Sequence, residues 1–148
     1  AVDSAIQSMS MINKYASEIV RKYRTHACTD VTGFGFLVHL CEMMDERFTA
    51  VIDKDKIPYI QECKDYAEEF YLTAAAQRNR NHVGGKVQFV DTSFAMEEIL
   101  FDQTSGGLLV SMDAEDAGKA FEELKTLGLS CNIVGTVEKG QEKKVIVR

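Results

Sequence analysis

The chain has 148 residues, a formal net charge of −6 and an isoelectric point near 5.1. That length is enough to bury a hydrophobic core as one ordinary domain. The acidic balance argues against a nucleic-acid-binding protein, which would carry clustered Lys and Arg. No apolar run reaches the roughly 20 residues of a membrane span, and residues 1–10 have the pattern of a helix start and not of a secretory signal.

The four cysteines give no sign of a zinc site or a redox dithiol, because no two of them are spaced as C-x-x-C. They are Cys28, Cys41, Cys63 and Cys131. We expect reduced thiols that behave mostly as small buried hydrophobes, which favours a cytoplasmic protein.

Apolar periodicity in the first half predicts three helices and two extended segments. They are a helix over 3–23, an extended segment over 26–30, a second helix over 36–44, a strand over 48–52 and a third helix that begins at Pro58. Asp3 and Ser4 are candidate N-caps of the first helix, and the single proline suits the first turn of the third. The third helix is expected to bury Ile60, Cys63, Ala67 and Phe70.

The second half predicts a loop followed by strands and helices. The expected elements are a loop over 74–85, a strand over 86–90, a helix over 94–100, a strand over 108–112, a helix capped by Asp113 and ended by Gly128, and strands over 131–137 and 143–147 around a turn at 139–141. The core face of the last helix would be Ala117, Ala120, Phe121, Leu124 and Leu127. Without repeats or long linkers, the pattern predicts one mixed α/β domain over 1–148, with helices packed on a sheet.

Residues 29–35 place a carboxylate and two hydroxyls ahead of two glycines and a helix start; they read TDVTGFG. Glycines let the backbone approach a ligand, and N–H groups at a helix start favour anionic oxygens. A single carboxylate such as Asp30 suits Mg²⁺, which takes its remaining ligands from phosphate and water. The alternative is that Asp30 or Thr32 only caps the following helix.

Two further segments could bind anions, but each also has a purely structural explanation. Residues 102–107 (DQTSGG) could form an anion-binding nest or only a tight turn into a strand, and they are not a P-loop because no Lys follows the glycines. Residues 78–81 (RNRN) could bind phosphate or a carboxylate, or be a solvated loop.

The single cysteine and histidine residues are weaker evidence of function than these segments. Cys28 has no base placed beside it and is interpreted as structural, and His39 as a packed or interface residue. His26 and His82 lack metal-ligand spacing.

Three segments together resemble the selenophosphate synthetases (selenide, water dikinases). Residues 26–43 are similar to their hA-C-T-D-V-T-G-F-G-L-L-G-H-L-x-E-M signature, residues 102–109 to D-P-Q-T-S-G-G-L-L, and residues 78–80 lie where the family has G-A-Y-R-N-R. Residues 9–16 fit the helix before the first signature, and residues 133–137 fit the closing strand. The resemblance covers nearly the whole chain, in order and at the right spacing.

The resemblance implies the C-terminal domain of such an enzyme, an α/β fold with a mixed sheet flanked by helices and partly ferredoxin-like. The family makes selenophosphate from selenide, ATP and water, with release of AMP and phosphate. Asp30 would be this domain's ligand to Mg²⁺. The expected ATP-site residues are Thr29, Thr32, Gly33, Asn79, Thr104 and Ser105.

The resemblance also implies what this chain lacks. The N-terminal ATP-binding domain, with its glycine-rich loop, reactive Cys or selenocysteine and essential Lys, has no counterpart here, so no catalytic residue is assigned. We expect that domain as the partner, a homodimer for the full-length protein, and no activity for this chain alone. A different class stays open: a non-catalytic ligand-binding or dimerisation module, which the sequence upstream of Ala1 would distinguish.

Overall fold

The computed structural model describes residues 1–148 and contains seven α-helices and six β-strands. The helices are α1 (Val2–Ser10), α2 (Lys14–Val20), α3 (Gly35–Met43), α4 (Glu62–Glu68), α5 (Ala74–Val83), α6 (Phe94–Phe101) and α7 (Ala114–Lys125). The strands are β1 (Thr25–Thr32), β2 (Phe48–Ile52), β3 (Val87–Phe89), β4 (Ser105–Met112), β5 (Gly135–Lys139) and β6 (Val145–Val147). None of the helices has the length and apolar character needed to cross a bilayer.

The strands form two sheets. β1 and β4 make an antiparallel two-stranded sheet, which we call the β1–β4 ribbon. The other four strands lie in the order β3-β6-β2-β5, in which β6 is parallel to both β3 and β2, and β5 is antiparallel to β2. The predicted fold class, a mixed sheet flanked by helices, is confirmed.

The core lies where α3, α5 and α6 pack on one another and α3 meets both sheets. α3 supplies Leu37, Val38, Leu40 and Cys41, and the sheet supplies residues such as Val145 and Val147, which are fully buried. Burial raises the pKa of the Cys41 thiol to about 11, so this cysteine behaves as a small hydrophobe, but the expectation of mostly buried cysteines was wrong, since Cys28 and Cys63 are exposed and Cys131 is half-buried. Because α3 is buried along most of its length, the loop that leads into it is held on a rigid base.

The long first helix was predicted wrongly. It is two helices, separated at Met11, whose backbone is extended. The Asn13 side chain donates a hydrogen bond to the Gly106 carbonyl on β4 (3.1 Å) and so ties the chain to the ribbon at the break. α1 buries no residue, whereas α2 buries Ala16, Ile19 and Val20. Apolar residues recur at three- and four-residue steps on both sides of Met11, so the sequence pattern gave no sign of the break.

The predicted loop over 74–85 is also wrong, because most of it is helix α5. The Thr73 hydroxyl caps this helix by accepting a hydrogen bond from the Ala76 N–H (3.1 Å). Ala76, Asn79 and Val83 are buried on its inner face. The helix was missed because its buried centre is an asparagine, which the apolar pattern cannot register.

The third helix starts later than predicted. Pro58 lies outside any helix, and α4 begins at Glu62. The residue before the proline, Ile57, is extended, as pre-proline sterics favour. Of the predicted core residues only Ala67 is buried, while Cys63 and Phe70 are exposed and Ile60 is partly buried.

The C-terminal third matches in element type and differs in detail. β5 and β6 flank β2 and do not pair with each other across the turn at 139–141. The predicted strand over 108–112 begins earlier, at Ser105, so that Gly106 and Gly107 lie inside β4. On α7 only Ala120 is buried, so the predicted core face was too wide. Asp113 stands at the N-cap without a capping hydrogen bond, because its carboxylate binds Arg24 and His26 instead.

Candidate functional site

The β1–β4 ribbon brings the two glycine-containing segments together. Asp30 lies opposite Leu108 and Thr32 opposite Ser105, so the two segments meet where β1 ends and β4 begins, at one end of the ribbon. The ladder is irregular between Asp30 and Thr32, where the register shifts. Such bulges redirect side chains at the ends of paired strands. Two segments that are distant in sequence thus share one surface. The sequence alone did not predict that they are neighbours.

Asp30 presents a free carboxylate on this surface. Its side chain is exposed, and it takes part in no ion pair or side-chain hydrogen bond. His26, Cys28 and Asp30 are the exposed positions of β1, as strand alternation requires. Thr29 lies on the opposite side, partly buried, and its hydroxyl donates to the Asp30 carbonyl (3.2 Å). Asp30 is therefore the only carboxylate that β1 offers to a ligand.

The two glycines that follow have different structural roles. Gly35 has φ +75°, and a Cβ there would lie 2.5 Å from the Phe101 carbonyl oxygen. Only glycine fits that position, where the loop turns into α3 against the end of α6. Gly33 has no such constraint: a Cβ there would meet nothing within 4 Å. Packing explains Gly35, whereas the exposed Gly33 leaves its backbone open to an approaching ligand.

His39 on α3 fixes the conformation of the loop. Its Nε2 lies 3.3 Å from the Thr32 backbone nitrogen and 3.2 Å from the Thr32 hydroxyl, and its Nδ1 lies 3.2 Å from a Glu42 carboxylate oxygen. Because the Thr32 N–H donates to Nε2, the ring proton belongs on Nδ1, facing Glu42. The Phe34 ring packs edge-on against the imidazole. The sequence indicated a packed histidine but not that it holds Thr32.

Asn79 fixes the loop from the other side. It is buried, and its side-chain amide donates to the Gly33 carbonyl (3.0 Å) and to the Phe101 carbonyl (2.9 Å). Both amide protons are therefore used to join α5 to the loop and to the end of α6. The contacts assign Asn79 a positioning role, and direct contact with a nucleotide stays a prediction.

The two arginines beside Asn79 differ in their surroundings. Arg80 binds Glu98 (2.5 and 3.1 Å) and Glu97 (2.9 Å) on α6, and it stacks on the Phe101 ring. Burial alone would lower the pKa of Arg80, but the hydrogen bonds to Glu97 and Glu98 raise it. Arg78 is exposed and forms no ion pair. Arg80 therefore clamps α5 to α6, and only Arg78 is free to meet an anion.

The second segment is open where a ligand would approach. Thr104 and Ser105 are exposed, and Gln103 accepts a hydrogen bond from the Thr104 N–H (2.8 Å). A Cβ on Gly106 would lie 2.9 Å from the Gln103 side chain and 3.0 Å from the Val31 carbonyl oxygen. Glycine at this position thus permits the two strands to come close, while the two hydroxyl groups remain accessible beside Thr32.

Cys28 is not activated as a nucleophile. Its thiol pKa is raised, first by partial burial and then by the negative charge of Asp30. A reactive cysteine needs the opposite shift. His26, the nearest imidazole along the strand, is instead paired with Asp113 (2.8 Å). These contacts agree with a structural interpretation of Cys28.

The residues present fit a shared magnesium site better than a complete one. No group of three or more His, Cys, Asp or Glu side chains could hold a metal ion within this chain. The unpaired Asp30 carboxylate does suit Mg²⁺, which commonly takes one or two protein carboxylates and completes its shell with phosphate and water. The chain alone therefore brings together fewer than three protein ligands for a metal ion.

Comparisons with known proteins match nearly the whole chain to one family and to one kind of enzyme. The family described as AIR synthase related protein, C-terminal domain, matches residues 2–148. The chain is 51% identical over 149 aligned positions to a selenide, water dikinase of Agathobacter rectalis. This alignment covers 99% of this chain and 44% of that protein. It is 42% identical to a selenide, water dikinase of Desulfitobacterium hafniense strain Y51 (100% and 44%) and 38% identical to one of Treponema denticola (96% and 42%). The chain thus spans less than half the length of these curated relatives.

Proposed function

The chain belongs to the AIR synthase related protein C-terminal domain family, and from that premise we propose that it is the C-terminal domain of a selenide, water dikinase. The complete enzyme would make selenophosphate from selenide, ATP and water. ATP carries three phosphates and AMP keeps one, so the other two leave as selenophosphate and orthophosphate. The observation that carries the proposal is the pairing of Thr32 with Ser105, which joins the two glycine-containing segments beside an unpaired Asp30.

The proposed role of this surface is to receive the triphosphate. The hydroxyls of Thr104 and Ser105 and the open backbone at Gly33 offer groups that suit phosphate oxygens, whereas the Thr32 hydroxyl is held at His39 Nε2 (3.2 Å) and would act by fixing the loop. Thr29 was expected at the same site, and the hydrogen bond from its hydroxyl to the Asp30 carbonyl supports a role in holding the backbone of β1 at Asp30. Phosphoryl transfer depends mainly on positioning and on charge neutralisation, which a rigid loop serves well.

Magnesium belongs to this proposal through Asp30. Asp30 would hold the ion, and the chemistry the ion would supply there is neutralisation of the charge on the phosphates. The chain's own contribution is to hold the carboxylate on a paired strand, while His39 and Asn79 keep the adjacent loop in place. The remaining protein ligands and the reactive residue are assigned to the part of the enzyme outside this chain.

The wider features of the proposal follow from the same reasoning. The partner is the enzyme's own N-terminal domain, and the full-length protein is proposed to be a homodimer in the cytoplasm. The four unpaired thiols are compatible with a reducing compartment. The acidic composition supports neither nucleic acid nor membrane as a partner.

A dikinase assay tests the proposal. The full-length polypeptide and the 148-residue chain are each incubated with Mg-ATP and selenide, and products are followed by ³¹P NMR. We expect the full-length protein to form AMP, orthophosphate and selenophosphate in equal amounts, and the chain alone to form none. Selenide-independent ATP hydrolysis, or no AMP from the full-length protein, would contradict the proposal.

A further inference from the structure

An exposed group of large apolar side chains lies on α4, on the segment that follows it and at the start of α6. We call it the aromatic patch; its members and exposed fractions are Tyr66 (49%), Phe70 (73%), Tyr71 (70%), Leu72 (44%) and Phe94 (46%). Its rings touch one another: Phe70 and Phe94 lie 5.8 Å apart between centroids, and Tyr66 and Tyr71 lie 6.1 Å apart. Clustered exposed apolar surface of this kind marks interaction sites.

The backbone at Phe70 is unfavourable for folding alone. The Phe70 N–H donates to the Ala67 carbonyl (3.1 Å) and the Tyr71 N–H to the Tyr66 carbonyl (2.9 Å), which together close α4 with a Schellman motif. Phe70 occupies the left-handed position of that motif, at φ 63°, where glycine is the usual residue. The Phe70 ring is 73% exposed and packs on the likewise exposed Phe94 ring, so it gains little burial within the chain. Strain of this kind motivates a search for function outside the fold.

Two packed helices, α4 and α6, connect the patch to the candidate site. α4 packs against α6, and the contact of Phe70 with Phe94 places the end of α4 at the start of α6. The two helices therefore run in opposite directions, with the start of α4 toward the end of α6. There the chain enters Asp102, the first residue of the second glycine-containing segment. The packed pair of helices thus has the patch at one end and leads into the second glycine-containing segment at the other.

We propose that the aromatic patch is the docking surface for the remainder of the enzyme polypeptide, the part that its relatives have and these 148 residues lack. The inference rests on the proposed function, because that function requires the missing part to complete the site beside Asp30. More than half of each relative lies outside the matched region, since the chain spans 44% of the first two. A partner that reaches the site along α4 and α6 covers the patch and removes its rings from water.

Cysteine labelling in the full-length polypeptide tests the docking surface. Tyr71→Cys places a thiol in the patch, and Phe48→Cys places a matched thiol on the four-stranded sheet, where Phe48 is 43% exposed. Alkylation at each position is followed by peptide mass spectrometry and divided by the rate in the urea-unfolded protein. We expect the thiol at position 71 to react at least tenfold more slowly than the thiol at position 48, at all protein concentrations.

Two outcomes would overturn the inference. Equal rates at the two positions would mean that the patch stays in water. Protection that is lost on dilution would mean that a second copy of the protein covers it. The dikinase assay on the unsubstituted protein separates this inference from the proposed function: an active enzyme with an exposed patch refutes only the docking surface, and a covered patch without activity refutes only the function.

Phe70→Gly provides a second test that cannot fail through misfolding of α4, because glycine is the residue that the Schellman motif favours. If Phe70 served only the fold, the variant would raise the melting temperature of the full-length protein. Docking predicts the reverse, a lower melting temperature, because the ring's buried contacts are lost. An unchanged or higher melting temperature would contradict the proposal.

Discussion

At the scale of single residues, His39 is the side chain on which the conformation of the candidate site most depends. It is buried, and its Nε2 is the acceptor for the Thr32 N–H. His39→Ala leaves that N–H without a partner and opens a gap beside Phe34, so we expect a loss of roughly 2–3 kcal/mol in the free energy of unfolding. Urea denaturation measures it, and His82→Ala, at an exposed position, should change it by less than about 0.5 kcal/mol. Equal effects would refute the assignment.

The two glycines of the first segment give opposite predictions. Gly35→Ala forces a Cβ into the Phe101 carbonyl at a positive φ, and should lower the free energy of unfolding by at least about 2 kcal/mol. Gly33→Ala meets no atom and should change stability by less than about 0.5 kcal/mol. In the full-length protein, however, Gly33→Ala should weaken Mg-ATP binding, measured by calorimetry, because the methyl group occupies the approach of the phosphates. Unchanged affinity would remove Gly33 from the site.

Cys28 reports on the charge of Asp30. Burial and the Asp30 carboxylate both raise its thiol pKa, so less thiolate is present near pH 8 than in an unperturbed cysteine, and the fraction increases as the pH rises toward that pKa. Asp30→Asn removes the second cause and lowers the pKa, so Cys28 should be alkylated faster at pH 8. Cys131, whose pKa is raised by burial and not by Asp30, is the internal control. An unchanged ratio of the two rates would contradict the electrostatic link.

At the scale of elements, the clamp between α5 and α6 holds Asn79 in reach of the loop. Arg80 joins the helices through Glu97 and Glu98, and the Glu98 side chain is only 8% exposed. Arg80→Met leaves that carboxylate without its partner, which should lower the free energy of unfolding by roughly 2–4 kcal/mol. The exposed Arg78 is the matched control, and Arg78→Met should leave stability within about 0.5 kcal/mol. Similar losses for both variants, in the same urea titration, would exclude a clamp.

Elements with a regular apolar pattern were predictable, and those organised by polar side chains were not. β2 has the predicted bounds, 48–52, and its residues from Thr49 to Ile52 are all buried, so the strand is buried on both faces. Helix α5 was not predicted because Asn79, and not an apolar residue, is at its buried centre. The break between α1 and α2 was not predicted because it depends on the hydrogen bond from Asn13 to Gly106, two residues that are 93 positions apart. Local pattern contains no information about such partners.

At the scale of the whole molecule, the sequence predicted which residues form the candidate site but not how they meet. For residues 29–35 and 102–107 the pattern left open an anion-binding segment or only a helix cap and a tight turn, and the resemblance to selenophosphate synthetases joined the two segments in one function. Their pairing as neighbouring strands, and the anchoring by His39 and Asn79, required the structure. Long-range pairing of this kind is fixed by tertiary contacts that one sequence does not reveal.

The most direct test of the account is selenophosphate formation by the full-length polypeptide with Asp30→Asn. Asp30 is exposed and unpaired, so the substitution should leave the circular-dichroism spectrum unchanged and stability within about 0.5 kcal/mol. We predict that selenide-dependent AMP formation, measured at saturating Mg-ATP, falls at least about a hundredfold, because the carboxylate's interaction with the metal is lost. Turnover equal to that of the unsubstituted enzyme would mean that this domain contributes no magnesium ligand to the site.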